Sequence, residues 1–314
     1  MNFVFICDSN YIMPTMVAIK SIYDNTIIKE NIFFHIITTD MTFEREKELK
    51  NIIKGNKIIV HKVNFSDYNK INQINTYSHV TCTALLKFEI ANILKKLDKV
   101  LYLDSDIIVN GDLSELFEMD MENYYVAAVQ ELWKYINKSS QEQNGEHYFN
   151  SGVLMLNLKL LRQDKVADTL WRKKNELLQN PKYKAMDQDT LNIVLQNKCK
   201  FLSLKYNFNP YFGKKKFIDI INFYENQKIN NILDFINDVK IFHYVGKEDK
   251  PWIYSSAKME HLWSKYYKDL FGDIDKLERK TINKGLFYYL NLFIRSISED
   301  GLNKTIRRVI NKLN

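Results

Sequence analysis

The sequence predicts an α/β fold, a mostly parallel sheet flanked by helices, followed by a small C-terminal helical appendage. Three observations predict it. Strand-like and helix-like segments alternate through the first two-thirds of the chain. The run KVLYLDSDIIV at 99–109 is a β-branched strand signal interrupted by acids. Glycine and proline, 9 and 4 in 314 residues, are too scarce for flexible linkers, which favours tightly joined parts.

Each element follows from its own pattern. FVFICD (3–8) is a short apolar run ending in polar residues, as a buried strand does. Residues 14–27 begin with Pro14 and set Val17, Ile19 and Ile22 among small and polar neighbours, which predicts a helix. FFHIITT (33–39) and KIIVHKVN (57–64) are the next strands, with the charged amphipathic helix EREKELKNIIK (44–54) between them. A helix is expected over 83–97, then the strand at 99–109. YYVAAV (124–129), VLMLNL (153–158) and IFHYVG (241–246) follow as strands, and helices fit 163–178 and 188–198. Residues 209–240, rich in Asn, Lys and aromatics, give no clear order. Residues 279–313 read as two helices broken at SEDG (298–301). The expected division is a catalytic body at 1–265 and a basic helical appendage at 266–314.

A β-α-β-α order implies helices on both faces of the sheet and a ligand site beyond the carboxyl ends of its strands, where Asp8 and Asp104 fall. Neither GxGxxG nor GxxxxGK[ST] occurs, so a dinucleotide fingerprint and a P-loop are excluded.

Composition narrows the class. Hydrophobic residues make up 46%, which suits a packed core. Cys7, Cys82 and Cys199 are odd in number, far apart and without a Cys-x-x-Cys pair. That argues against a disulfide framework or thiolate zinc site and for a reducing, cytoplasmic setting. MNFVFICDSN is cut by Asp8 and lacks a basic leader, so it reads as a strand and not a signal peptide. The longest apolar run, GLFYYLNLFI (285–294), is too short to span a bilayer. Of the net charge of +7, +6 falls in residues 279–314, where eight Lys and Arg face Glu299 and Asp300. A nucleic-acid-binding body would be basic across its main face, so nucleic acid is not an expected partner. The basic tail, with Leu302, Ile306, Val309, Ile310 and Leu313 at helical spacing, reads either as a packed appendage or as a peripheral docking element for an anionic membrane or an acceptor protein.

Asp104-Ser105-Asp106 is the sharpest chemical feature. Desolvated carboxylates at the end of a buried strand need a partner or a cation. In an extended chain, residues i and i+2 share a side, so both acids would reach one hard cation. The bland alternative is a solvated turn. Aspartyl-phosphate phosphatases also place Asp-x-Asp after a strand, but on the first strand. His243 follows an apolar strand and is either a packed core histidine or a third ligand. An Asp/Asp/His set suits Mn²⁺ better than Mg²⁺. Lys250 is either a phosphate partner or an exposed loop lysine. Asp187-Gln188-Asp189 either caps a helix or faces a reacting sugar, and FNSG (149–152) offers an amide and a turn.

With these residues in view, the sequence resembles glycosyltransferase family 8, the group of glycogenin and the bacterial lipooligosaccharide galactosyltransferases. FVFICDSNY, KVLYLDSDIIV, YFNSGVLMLNL (148–158), DQDTLN (187–192) and HYVGKEDKPW (243–252) carry the resemblance, over roughly residues 1–265. It implies a GT-A nucleotide-sugar fold, a UDP-hexose donor (galactose first, glucose second), Mn²⁺ with Mg²⁺ as the alternative, and retention at the anomeric carbon. It implies Asp104, Asp106 and His243 as metal ligands. Cys7, Asp8, Asn10, Tyr11 and Ser105 match the nucleotide side, and Lys87 and Asn150 match the donor sugar. Asp187 and Gln188 match the catalytic face, and Gly246 and Lys250 the loop over the diphosphate. His79 and Gln130 match acceptor contacts. The acceptor implied is a surface glycan or glycoprotein. The Gly246–Lys250 segment is one residue longer than in the bacterial galactosyltransferases, and no self-glucosylating tyrosine can be placed. Retention is open to two routes, double displacement or front-face attack. Against the enzyme stands a sugar-nucleotide-binding protein without turnover that acts through its tail. A nucleotidyltransferase would want a Gly-rich loop that CDSNYIMP lacks.

Overall fold

Alternation with a period of two decides how the strands lie. Phe3 and Phe5 of β1 (Asn2–Ile6) pack on one side of the sheet with Phe34 and Ile36 of β2 (Phe33–Thr38). Val4 and Ile6 pack on the other side with Ile37. Both faces are therefore apolar, as a sheet covered on both sides requires. The computed structural model describes residues 1–55, 57–64, 67, 82–131, 148–177, 186–209, 221, 222, 224, 225 and 232–281.

The main sheet adds β3 (Ile58–Lys62), β4 (Lys99–Leu103), β6 (Val126–Gln130), β7 (Phe149–Asn157) and β8 (Cys199–Leu202) in the order β3-β2-β1-β4-β7-β6-β8. Pairing is parallel except on both sides of β7, which runs antiparallel to β4 and β6. The mostly parallel α/β sheet is as expected. The expected single strand at 99–109 is two strands in two sheets. After β4 the chain turns at residues 104–106, and β5 (Ile107–Val109) leaves to pair antiparallel with β9 (Ile241–His243).

Helices cover both faces. Behind Phe3 and Phe5 lie α1 (Ile12–Asn25) and α2 (Phe43–Lys50). Pro14 sits in the first turn of α1, where its missing N–H costs nothing. Thr42 caps α2 by accepting from the Arg45 N–H, with Glu44 and Glu46 early and Lys47 and Lys50 late. On the opposite face lie α3 (Ile90–Ile93), α5 (Leu158–Gln163), α6 (Val166–Leu177) and α7 (Met186–Leu195), with α4 (Ser114–Glu118) on the first face.

The segment at 83–97 is mostly 3₁₀, Cys82–Glu89, with a single α turn after it; residues 85–91 are all buried, so it has no wet face for an amphipathic helix. The helix expected at 163–178 is α6, and α5, which the sequence did not suggest, precedes it and ends ahead of Lys165, whose φ is 51°. Trp263, Tyr266 and Tyr267 of α9 (Glu260–Phe271) pack on Val17, Ile108 and Tyr244. Burying large apolar side chains contributes about 1.5–3 kcal/mol each. α8 (Ile232–Asp238) is helical within the stretch left without order. Residues 282–314, which carry most of the expected tail, lie outside the described residues. No described helix is long and apolar enough to cross a membrane.

Candidate active site at the carboxyl ends of the strands

A cleft of about 450 Å³ opens where β1, β4 and β6 end and β7 begins. Because β7 is antiparallel, its first residues lie at that same edge, so Asn150 and Ser151 line the cleft with Asp8, Asp104 and Asp106. The start of α7 adds Asp187 and Gln188.

The acidic pair converges through a turn and not along an extended strand. Asp104 ends β4, its N–H donating to the Gly152 carbonyl at 2.8 Å, and Tyr102 Oη donates to Asp104 Oδ1 at 2.5 Å. Asp106 leads into β5. The β5–β9 register sets Ile107 opposite His243, which brings the imidazole beside Asp106, Nε2 to Oδ1 at 3.1 Å. Asp104 Oδ2 lies 3.9 Å from the same nitrogen. One potential ligand atom from each of the three residues falls within 4.8 Å of the others. Gly152 keeps the space: a Cβ there would stand 2.2 Å from His243 Cε1 and 2.8 Å from Asp104 Oδ2. Two carboxylates and one imidazole that converge this closely fit a divalent cation. Ser105 is buried, its hydroxyl 2.7 Å from Thr15 Oγ1, which ties the turn to α1.

Two lysines balance these acids. Burial raises the Asp106 carboxyl, but Lys250 and His243 outweigh it and hold it well below the usual range. Lys250 Nζ contacts Asp106 Oδ2 and donates to the Tyr244 carbonyl at 2.5 Å. Lys87 is buried between Asp187 at 2.8 Å and Asp104 at 3.2 Å. Burial disfavours its charge, yet Asp104 and Asp187 keep it protonated, with its pKa above the ordinary lysine value. Asp187 is shifted down: burial raises it and Lys87 more than compensates.

Gln188 Oε1 accepts from the Ser151 N–H at 3.0 Å, so the α7 N-terminus is docked on β7. Asn192 completes that docking, accepting from the Phe149 N–H at 2.7 Å and donating to its carbonyl at 2.8 Å. The asparagine of DQDTLN therefore has a structural task that its helical offset from Gln188 foreshadows.

Among the residues expected at the nucleotide, Asp8 caps the turn Ser9–Tyr11 by accepting from the Asn10 N–H at 3.0 Å. Tyr11 stands edge-on to Trp252, centroids 6.0 Å apart. Burial pushes the Cys7 thiol up to about 12, so it is no thiolate at neutral pH. Gly246 is required by close approach, since a Cβ there would meet Asp249 Oδ2 at 2.2 Å.

Of the residues expected to touch an acceptor, His79 lies outside the described residues. Gln130 is half-buried on β6, and the next residue, Glu131, lines the cleft and accepts from Asn150 Nδ2 at 2.8 Å. Sequence reasoning missed Glu131 and also Asn207, which meets His243 Nδ1 at 2.8 Å. No motif marks either.

The family described as Glycosyl transferase family 8 matches residues 2–256. Glycosyltransferase GlyF of Streptococcus pneumoniae is 28% identical over 90% of the chain, which spans only 65% of that protein. A lipopolysaccharide 1,2-glucosyltransferase of Escherichia coli is 29% identical, covering 85% of the chain and 75% of that protein. A lipopolysaccharide 1,3-galactosyltransferase of Salmonella typhimurium is 25% identical, covering 95% and 92%. The fold matches that of galactosyltransferase LgtC, solved with donor and acceptor sugar analogs, at a TM-score of 0.68 and 22% identity, over 88% of this chain and 98% of that one.

Proposed function

The chain belongs to glycosyl transferase family 8, and from that membership we propose that it is a retaining hexosyltransferase, moving galactose or glucose from a UDP-sugar to a glycan acceptor of a surface polysaccharide or glycoprotein with Mn²⁺. The observation that carries this reading is the convergence of Asp104, Asp106 and His243 around the space kept by Gly152. Two carboxylates with an imidazole favour Mn²⁺ over Mg²⁺. Bound there, the cation would neutralise charge on the leaving diphosphate.

The transfer breaks the bond from the anomeric carbon to the diphosphate oxygen and forms one to an acceptor hydroxyl oxygen. The hydroxyl proton passes to the leaving oxygen. Asp8, Asn10, Tyr11, Ser105 and the Cys7 backbone are assigned to the nucleotide, Lys87 and Asn150 to the donor sugar, and Lys250 and Gly246 to the diphosphate. Fixed positive charge near a leaving group is a large catalytic term because it needs no reorganisation during the reaction. Asp187 is held by Lys87 at 2.8 Å and by Ser151 Oγ at 3.3 Å. That supports a role in holding Lys87 and leaves Gln188, a poor nucleophile, at the sugar face. Front-face attack by the acceptor hydroxyl is therefore the adopted route. The relatives named for galactose and for glucose keep both donors in play, galactose first.

A panel of UDP-sugars assayed for hydrolysis with Mn²⁺ tests the reading. One UDP-hexose should be cleaved, EDTA should abolish the activity, and Asp106→Ala should lose it while keeping the fold. Undiminished turnover by that variant in chelator would overturn the metal-dependent mechanism.

A further inference from the structure

We infer that Asn207 is a positioning residue that sets which nitrogen of His243 faces the acidic pair, and that its own orientation is dictated by a short hydrogen-bond relay through Asn150. The inference rests on the metal reading above and adds to it a residue and a direction.

The direction follows from groups that have no choice. The Gly152 backbone N–H can only donate, and it lies 3.0 Å from one terminal atom of Asn150. The Glu131 carboxylate accepts, and it lies 2.8 Å from the other. Together they assign the Asn150 oxygen to the Gly152 side and its NH₂ to Glu131. That same Asn150 oxygen is 2.9 Å from Asn207, so Asn207 must turn its NH₂ toward it. The Asn207 oxygen then faces His243 Nδ1 at 2.8 Å, and Nδ1 must carry the hydrogen. Nε2 is left to face Asp104 and Asp106, where a bound cation would take its lone pair. An imidazole that ligates through one nitrogen has its tautomer and tilt fixed by what the other nitrogen donates to.

Asn207 is itself held in register. Phe208 N–H donates to the Ile241 carbonyl at 2.9 Å and His243 N–H to the Phe208 carbonyl at 2.8 Å, so residues 207–208 run beside β9. Asn207 and His243 are both buried, so water does not readily replace a lost acceptor.

Two measurements without sugar nucleotide test this. Nitrogen-15 spectra of the histidine rings in the metal-free protein should show a hydrogen on His243 Nδ1, and Asn207→Ala should lose that preference. Mn²⁺ titration followed by the free-ion EPR signal should show affinity falling about 10–100-fold in Asn207→Ala. Asn207→Asp, which keeps an acceptor for Nδ1, should stay near the wild type. Both are compared below the unfolding midpoint of each variant. Wild-type affinity in Asn207→Ala, an equal loss in both variants, or a wild-type His243 ring without a hydrogen on Nδ1 would overturn the relay. Failure of the wild-type protein to bind Mn²⁺ at all would overturn the metal reading instead, and the relay's part in metal binding with it. If Asn207→Ala does not fold, the wild-type spectrum and Asn207→Asp decide.

Discussion

His35 and His243 occupy nearly the same local sequence, FFHII and IFHYV, each after a phenylalanine in an apolar strand, and both are buried. Their neighbours separate them. His35 on β2 stacks on His61 of β3, centroids 5.3 Å apart, with Nδ1 3.1 Å from His61 Nε2 and Nε2 3.2 Å from Asn2 Oδ1. Burial and His61 push its pKa down to about 4, so it is a neutral packing group. His243 meets two carboxylates and an amide oxygen. A buried histidine is thus defined by what the sheet brings across to it: one packs against a second imidazole, and the other, the proposed ligand, faces two carboxylates.

The comparison breaks first on activity. His243→Ala should lower UDP-sugar hydrolysis by about 10²–10³-fold, the scale of losing a charge-stabilising group, whereas His35→Gln should stay within about twofold. Comparable losses in folded samples of both variants would erase the distinction.

Gly152→Ala sharpens it without touching a ligand. The added carbon must displace His243 or Asp104, so Mn²⁺ affinity should fall about 10–100-fold while overpacking costs about 1–3 kcal/mol of stability. Unchanged metal affinity would mean the three ligands are not packed around a cation.

The smallest effect is on the packing histidine. Its folded pKa is depressed, so between about 6.5 and about 4 the unfolded chain binds a proton that the native state refuses. Stability should therefore fall as pH drops through that window, by on the order of 1–2 kcal/mol once solvent screening is allowed for. Chemical denaturation from pH 7 to pH 4 measures it. His35→Gln should flatten the slope, and an unchanged slope in the variant would assign it elsewhere.

Much of the first half was legible for a physical reason. FVFIC and FFHIIT are apolar on both faces because parallel strands inside a sheet are covered on both sides, and that pattern is local, whereas KIIVHK at the sheet edge is only partly buried. β8, CKFL, was not read, because four residues with mixed exposure carry little periodic signal. The extended-chain argument for Asp104 and Asp106 reached the right neighbours by the wrong geometry. What joins them is the departure of β5 into a second sheet, and a sequence window cannot show that one strand run divides between two sheets.

By itself the sequence determined the α/β class, the family motifs and the residue types able to hold a cation. Those depend on periodicity and on side-chain chemistry, which travel with the chain. Only the tertiary structure decided that β7 runs backward, so that Asn150 and Gly152 reach the cleft from its first residues. It also decided that β9 carries His243 to Asp106 and that Asn207 arrives beside it. These contacts join residues 36 to 137 positions apart, and such pairings are set by how the whole sheet closes its hydrophobic faces, a property no local pattern encodes.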